Sequence, residues 1–173
     1  MNKQKPSFEQ AMNVTLLWCN AWEEGSLSDE VLADRVAELL ESKEGARGFF
    51  VIALSSDCPL MDRLPDPVVV QIRKAGESIV DLIVKNLAMS SAMALHHKRN
   101  QNKKLLSGSE LIKERCIELL NLLEPNSVKK HLENLLGATN MGQGIYAGFL
   151  KRWNYDDEQK QAIAASINSI PAN

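Results

Sequence analysis

The stretch Ser78–Leu95, SIVDLIVKNLAMSSAMAL, is the most apolar part of the sequence and decides its fold class. A helix built from it is apolar nearly all round, which is typical of a central helix packed by several neighbours. Asp66 as N-cap and Pro67 in the first turn predict where this helix begins, and it should run to about Lys98. We therefore predict a long central helix near residues 67–98.

The same stretch is long enough to raise the question of a membrane span. It carries Asp81 and Lys85, spaced as a helical ion pair, which a membrane span rarely contains. The N-terminus is polar and lacks the apolar core of a signal peptide. The three cysteines, Cys19, Cys58 and Cys116, are far apart and form no C-x-x-C pair, as expected of reduced thiols. We therefore predict a cytoplasmic protein that does not enter a membrane.

Length and composition indicate an ordinary globular chain. The 173 residues suffice for one domain with a sizeable core, and 45% hydrophobic and 24% charged residues are usual proportions. The net charge of −2 gives no overall attraction to nucleic acid or to anionic lipid. We predict a single helical domain over residues 1–173.

Capping signals divide the rest of the chain into helices. Ser7 with Gln10 forms a capping box before the first helix, for which Gly25 is the expected end. The second helix should begin at Ser28 and end at Gly45. Later starts are predicted at Ser107 with Glu110, at Ser127 with an end at Gly137, and at Asp156 with Gln159.

Residues 47–54 form a continuous apolar run without a diagnostic period, so they fit a buried strand or a buried helix. No second convincing strand exists to pair with a strand here, and we therefore predict helix. The resulting fold class is all-α, a single-domain bundle of about seven or eight helices.

Residues Gly142, Gly144 and Ala147 match the dinucleotide-binding pattern G-x-G-x-x-A. That pattern binds pyrophosphate only after a strand and with an acidic residue about 20 positions later. Here a helix precedes it, and no Asp or Glu follows Glu158. We instead interpret Gly144 and Gly148, four residues apart, as a site of close helix packing.

A candidate ligand pocket is formed by the polar residues Asn86, Ser90 and His97, which share one sector of the predicted central helix. The alternative is that these groups are buried and satisfied by neighbouring backbone, as most buried polar groups are. A pocket here would make the protein a small-molecule-binding regulator.

The only dense basic run contains Lys98, Arg99, Lys103 and Lys104. On one continuous helix these side chains surround the axis rather than line one face, and no aromatic residue for base stacking lies nearby in sequence. Positive charge at a helix C-terminus complements the helix dipole, which explains the run without a partner. Nucleic acid is therefore an unfavoured partner, although a loop conformation would gather these charges.

Motifs for chemistry are missing. The sequence contains no G-x-S-x-G, P-loop or H-E-x-x-H, and the adjacent His96 and His97 point about 100° apart on a helix. We predict no metal and no cofactor. These absences argue against an enzyme but leave open a catalytic site assembled from distant residues.

The favoured function is therefore protein–protein interaction by a non-enzymatic helical protein, as a regulator or adaptor, with a protein partner or a second copy in a homodimer. The aromatic candidates for that interface are Trp18, Trp22, Tyr146 and Trp153.

Overall fold

The computed structural model describes residues 3–171, and within that range the chain is helical without any strand. Nine α-helices and one 3₁₀-helix account for it. They are α1 (Phe8–Glu23), α2 (Asp29–Leu40), α3 (Lys43–Ser55), the 3₁₀-helix (Pro59–Arg63), α4 (Asp66–Lys74), α5 (Glu77–Arg99), α6 (Lys103–Leu122), α7 (Pro125–Met141), α8 (Ala147–Trp153) and α9 (Asp157–Asn168). The predicted all-α class is confirmed, including helix over residues 47–54, and the helix count is slightly higher than predicted.

Local capping chemistry sets several helix starts. The Ser7 hydroxyl accepts from the backbone N–H of Gln10, and the Gln10 side chain returns a bond to the Ser7 backbone. Asp156 and Gln159 repeat this capping box before α9, and Ser28 caps α2. These bonds satisfy backbone donors that the first turn of a helix leaves unpaired.

The predicted continuous helix over residues 67–98 is wrong at one point. The helix α4 ends at Lys74 and α5 begins at Glu77. Gly76 between them has φ +84°, a left-handed conformation that glycine adopts without steric cost and that ends a helix. Pro65, rather than Asp66, is the N-cap residue of α4.

Three further helix boundaries differ from the prediction, because Gly45 and Gly137 do not end helices and Ser107 and Ser127 do not cap them. Gly45 does not end α2 but lies buried in α3, where a Cβ would collide with the backbone oxygen of Leu39. The helix α6 begins at Lys103 with Asn102 as its cap, four residues before Ser107. The helix α7 begins at Pro125, capped by the carboxylate of Glu124, and passes through Gly137 to Met141.

Contacts within the chain group it into two compact units, Met1–Ile79 and Val80–Asn173. In the first unit, α1 packs along α3, and α2 packs against α3 and α4. Gly48 lies at the crossing of α1 and α3, where a Cβ would be 2.5 Å from the Cβ of Ala11. Phe49 and Phe50 beside it are both 1% exposed, so this crossing is the centre of the unit's core.

In the second unit, α7 packs against α8 and α9. The Ser91 and Ser166 hydroxyls meet at 2.7 Å and join α5 to α9 through a buried hydrogen bond. Gln159 Nε2 adds a bond to the Ala92 carbonyl at 3.3 Å. The prediction that residues 1–173 form one domain stays a prediction.

Candidate functional site

A chain of polar side chains connects three helices in the second unit. Lys85 Nζ lies 2.9 Å from Asp81 Oδ2, and both residues are on α5. The Tyr146 hydroxyl donates to Asp81 Oδ1 at 2.9 Å. On α7, His131 Nδ1 lies 2.8 Å from the same Tyr146 oxygen. Since the only hydroxyl proton of Tyr146 goes to Asp81, His131 Nδ1 must carry the proton of the last bond.

Two members of this chain of hydrogen bonds, Tyr146 and His131, are buried. Tyr146 is 1% exposed and His131 is 7% exposed. Burial, followed by the bond to the Asp81 carboxylate and its charge, holds the pKa of Tyr146 well above its usual value. The phenol therefore remains neutral and works as a hydrogen-bond donor that fixes the start of α8 to α5.

Two polar atoms on α7 remain without a partner among residues 3–171, namely His131 Nε2 and Ser127 Oγ. Because Nδ1 carries its proton toward Tyr146, Nε2 of a neutral His131 presents a bare lone pair. Both atoms are inaccessible to solvent, so a substrate would not reach them in this conformation. The cluster is consequently a polar connector within the fold.

The four aromatic interface candidates have different surroundings. Tyr146 is core, as described above. Trp22 donates from Nε1 to Asp29 Oδ1 at 2.7 Å, and the Arg63 guanidinium lies 4.6 Å from the centre of its ring. Trp18 is half-buried on α1. Trp153 is 53% exposed at the end of α8, which makes it the most accessible of the four.

Other apolar side chains in the segment that leads to Trp153 are also exposed. Met141 is 69% exposed and Ile145 is 67% exposed, whereas Leu150 is 2% exposed. The half-buried Phe149 and Trp153 lie four residues apart on one side of α8, and Ile145 lies in the turn before this helix. We call Met141, Ile145 and Trp153 the α8 surface. The sequence pattern did not reveal Met141 and Ile145, because apolar spacing alone does not separate core from surface.

The predicted pocket residues on α5 are occupied with their own helix. Asn86 Nδ2 donates to the Leu82 carbonyl at 2.9 Å, and Ser90 Oγ donates to the Leu87 carbonyl at 3.1 Å. Ser90 is buried, and His97 is half-buried at the helix end. The alternative interpretation of these polar groups, hydrogen bonding to neighbouring backbone, therefore holds for Asn86 and Ser90.

Close helix packing at Gly144 and Gly148 is wrong. Gly144 has φ +98° and lies in the turn before α8, and a Cβ at either glycine would meet no described atom within 4 Å. Gly144 serves the turn before α8, and Gly148 lies on an exposed part of α8. Neither position requires another backbone close by. The close approach that the glycine spacing suggested occurs at Gly48 instead, where a Cβ would also be 2.7 Å from the Phe8 carbonyl oxygen.

Arg99 differs from the other basic residues of the predicted patch because it is paired. Its guanidinium lies 2.7 Å from Asp156 Oδ2 and 2.6 Å from Glu158 Oε2. These bonds raise the pKa of Arg99 further above its usual value and lower the pKa of Asp156. Lys98, Lys103 and Lys104 are exposed. The two ion pairs of Arg99 thus join the C-terminal end of α5 to the start of α9.

A protein-family profile described as "Uncharacterised conserved protein UCP020893" matches residues 7–170. The chain belongs to this family. No curated protein and no solved structure matches the chain. Function in this UCP020893 member must therefore be argued from its own residues.

This family member also has an apolar groove in its second unit, with a volume of about 220 Å³. Leu120 and Leu123 of α6, Leu132 of α7 and Ile167 of α9 contribute to its walls, and Lys129 lies at its rim. No group of three His, Cys, Asp or Glu residues able to hold a metal ion exists within residues 3–171. The walls of the groove are mainly apolar.

Proposed function

We propose that this protein acts by binding protein, without catalysing a reaction, and that its partner at the α8 surface is a second copy of itself. The observation that carries the proposal is the exposure of Met141, Ile145 and Trp153, at 69%, 67% and 53%, within one short segment. Grouped exposed apolar side chains mark association surfaces more often than scattered ones do. An exposed tryptophan is also a frequent centre of binding energy.

The anchoring of α8 supports a defined surface. A helix of seven residues is too short to be stable by itself in water. Tyr146 and Leu150 hold it from the inside, through the bond to Asp81 and through apolar burial. The exposed side chains of the same segment are thereby presented in a fixed arrangement, which lowers the entropy lost on association.

The charges next to the α8 surface favour a second copy as the partner. Lys151 and Arg152 lie in the last turn of α8, and the acidic residues Asp157 and Glu158 lie in the first turn of α9. In a two-fold symmetric pair, the same patch meets itself in opposite directions, so basic residues of one copy face acidic residues of the other. Lys151 or Arg152 of one copy would pair with Asp157 of the other, the acidic residue here that Arg99 does not engage.

The experiment is a concentration series by sedimentation velocity, supported by native mass spectrometry. We expect a dimer whose dissociation constant rises about tenfold or more in Ile145→Ser. Leu17→Ser is the matched control, because Leu17 on α1 is also 67% exposed. A wild type that remains monomeric, or equal effects of both substitutions, would show that the α8 surface is not a self-association site.

The alternative function is a small-molecule-binding regulator, now favoured by the groove rather than by Asn86, Ser90 and His97. Its apolar walls fit a small apolar ligand or the apolar tail of a larger one, since 220 Å³ is less than the roughly 300 Å³ at which pockets for drug-sized ligands begin. Native mass spectrometry of the purified protein distinguishes the two functions. A small-molecule adduct that is lost on denaturation and absent in Leu132→Trp would support the regulator.

We also propose a cytoplasmic location. The helix α5 is long and apolar enough to cross a membrane by length and composition, yet 56% of its most apolar window is buried inside the protein. Its Asp81–Lys85 ion pair continues into the bond with Tyr146. Both features are typical of a core helix in a water-soluble protein. Fractionation of cells expressing the protein tests this location.

A further inference from the structure

The turn between α5 and α6 redirects the basic run. The helix α5 ends at Arg99, Gln101 has φ +55°, and α6 begins at Lys103. Lys98 and Lys103 therefore belong to different helices, and the basic side chains do not surround a single helix axis. Four basic and no acidic residues occur between His96 and Ser109, in a chain whose net charge is −2. Positive charge is concentrated at this connection.

Arg99 brings an aromatic residue and more positive charge to the same end of the unit. Its two ion pairs hold the start of α9 against the end of α5. Trp153 precedes Asp156 by three residues, which places it within about 11 Å of the paired carboxylate. Lys151 and Arg152 accompany it on α8. We call Lys98, Lys103, Lys104, Lys151, Arg152 and Trp153 the basic end.

The charges of the basic end are available to a ligand. Its five cationic side chains are exposed and have no ion-pair partner within residues 3–171. Of the three acidic residues nearby, Asp156 and Glu158 are engaged by Arg99, whose single positive charge offsets one of them, and Asp157 adds a further negative charge. The excess is therefore positive, although the whole chain is acidic.

We propose that the basic end binds single-stranded nucleic acid. Its cations would contact successive phosphates, and the exposed Trp153 ring would stack on one base. This combination of dispersed positive charge and an accessible aromatic face is how proteins bind single strands without reading their sequence. An acidic peptide would satisfy the cations but has no flat base to stack on an indole. Trp153 also belongs to the α8 surface, and Lys151 and Arg152 adjoin it, so a second copy bound there would compete with nucleic acid for these side chains.

The test is fluorescence anisotropy with labelled oligo-uridine and oligo-deoxythymidine of about 12 nucleotides, a length in the range of single-strand sites. Affinity should fall between about 50 mM and about 200 mM salt, with a logarithmic slope near about −3 for four phosphate contacts. Tighter binding of oligo-uridine would identify RNA as the ligand, and tighter binding of oligo-deoxythymidine would identify single-stranded DNA. Both outcomes support the proposal.

Substitutions then locate the site. Lys103→Ala with Lys104→Ala should weaken binding and reduce the magnitude of the salt slope by about 1.4. Trp153→Ala should weaken binding about tenfold or more through lost stacking. Lys43→Ala with Lys74→Ala is the control, because it removes two exposed lysines from the other unit and the same total charge. Ile145→Ser keeps every residue of the basic end and weakens self-association, so it should bind nucleic acid at least as tightly as the wild type does, which separates this site from the dimer surface.

Three results would overturn the proposal. One is the absence of oligonucleotide binding at low salt. Another is equal loss of affinity in the lysine pair on α6 and in the control pair, which would indicate an unspecific charge effect. The third is equally tight binding of a labelled oligo-glutamate of matched charge, with Trp153→Ala unchanged, which would identify an acidic protein segment as the ligand. Circular dichroism of each variant confirms that it is folded.

Discussion

Gly48 of α3 lies against Ala11 of α1 with no space for a side chain between them. A Cβ at position 48 would be 2.5 Å from the Ala11 Cβ and 2.7 Å from the Phe8 carbonyl oxygen. The backbone oxygen cannot move aside as the end of a flexible side chain could. The closeness of α1 and α3 thus depends on the missing side chain of Gly48.

Gly48→Ala should destabilise the protein by about 1–3 kcal/mol, because the added methyl forces the two helices apart. Gly148→Ala is the matched control, since Gly148 lies in α8 with open space around it. Alanine there should be neutral or stabilise by up to about 1 kcal/mol through helix propensity. Urea unfolding of both variants checks the prediction, and a larger loss in Gly148→Ala would contradict it.

Tyr146→Phe should destabilise the protein by about 1–3 kcal/mol. It removes the hydroxyl that joins Asp81 to His131 and leaves the buried His131 Nδ1–H without an acceptor. Tyr155→Phe provides the comparison, because Tyr155 is 8% exposed and no residue within 3–171 is hydrogen-bonded to its hydroxyl. Equal losses in the two variants, measured by urea unfolding, would mean that the connection contributes nothing specific.

Stability should decrease above about pH 8.5 through Cys116. Burial raises the pKa of the Cys116 thiol to about 12, whereas an unfolded cysteine ionises near about 8.5. The unfolded state loses this proton first, so the stabilisation is fully present below about pH 8.5 and is lost as the pH rises toward 12.

The expected loss from this thiol is about 1.4 kcal/mol at about pH 9.5. Urea unfolding at about pH 8 and about pH 9.5 measures it in the wild type and in Cys116→Ala. The variant is less stable at both values because of the lost packing, but its decrease between them should be smaller. Parallel pH profiles would show that Cys116 does not contribute.

Asp156→Asn should make the protein less sensitive to acid. The Arg99 guanidinium lowers the pKa of Asp156, so the stabilisation is present above the unfolded value near about 3.9 and is lost as the pH falls through the lower folded value. Asparagine still caps α9 but does not pair with Arg99. The wild type should therefore lose more stability than the variant between pH 7 and strong acid, as followed by urea midpoints. A steeper loss in the variant would refute the assignment.

The sequence predicted what short-range chemistry determines. Ser7, Ser28 and Asp156 are identifiable caps because a cap and its backbone partner lie within three residues of each other. Glycines were less predictable, since Gly48 and Gly148 look alike in sequence. Only the three-dimensional neighbours show that Gly48 permits a helix crossing while Gly148 faces open space.

The candidate sites were less predictable for the same reason. Tyr146 and Asp81 are 65 residues apart in sequence, so no local pattern links them. One signal was available, because a carboxylate within the apolar stretch Ser78–Leu95 requires a partner if it is partly buried. The joining of Trp153 to the basic run depends on Arg99 and Asp156, which are 57 residues apart in the chain.

Each buried cysteine can report how often the helices around it separate. Cys19, Cys58 and Cys116 are 1%, 5% and 0% exposed, so an alkylating reagent reaches them only when the surrounding helices separate. Cys19 and Cys58 belong to the first compact unit and Cys116 to the second. The labelling rate of each thiol, resolved by peptide mass, therefore reports how often its own unit opens under native conditions. If the two units open together, all three cysteines will be labelled at one rate. If they open separately, the labelling rate of Cys116 will differ from those of Cys19 and Cys58.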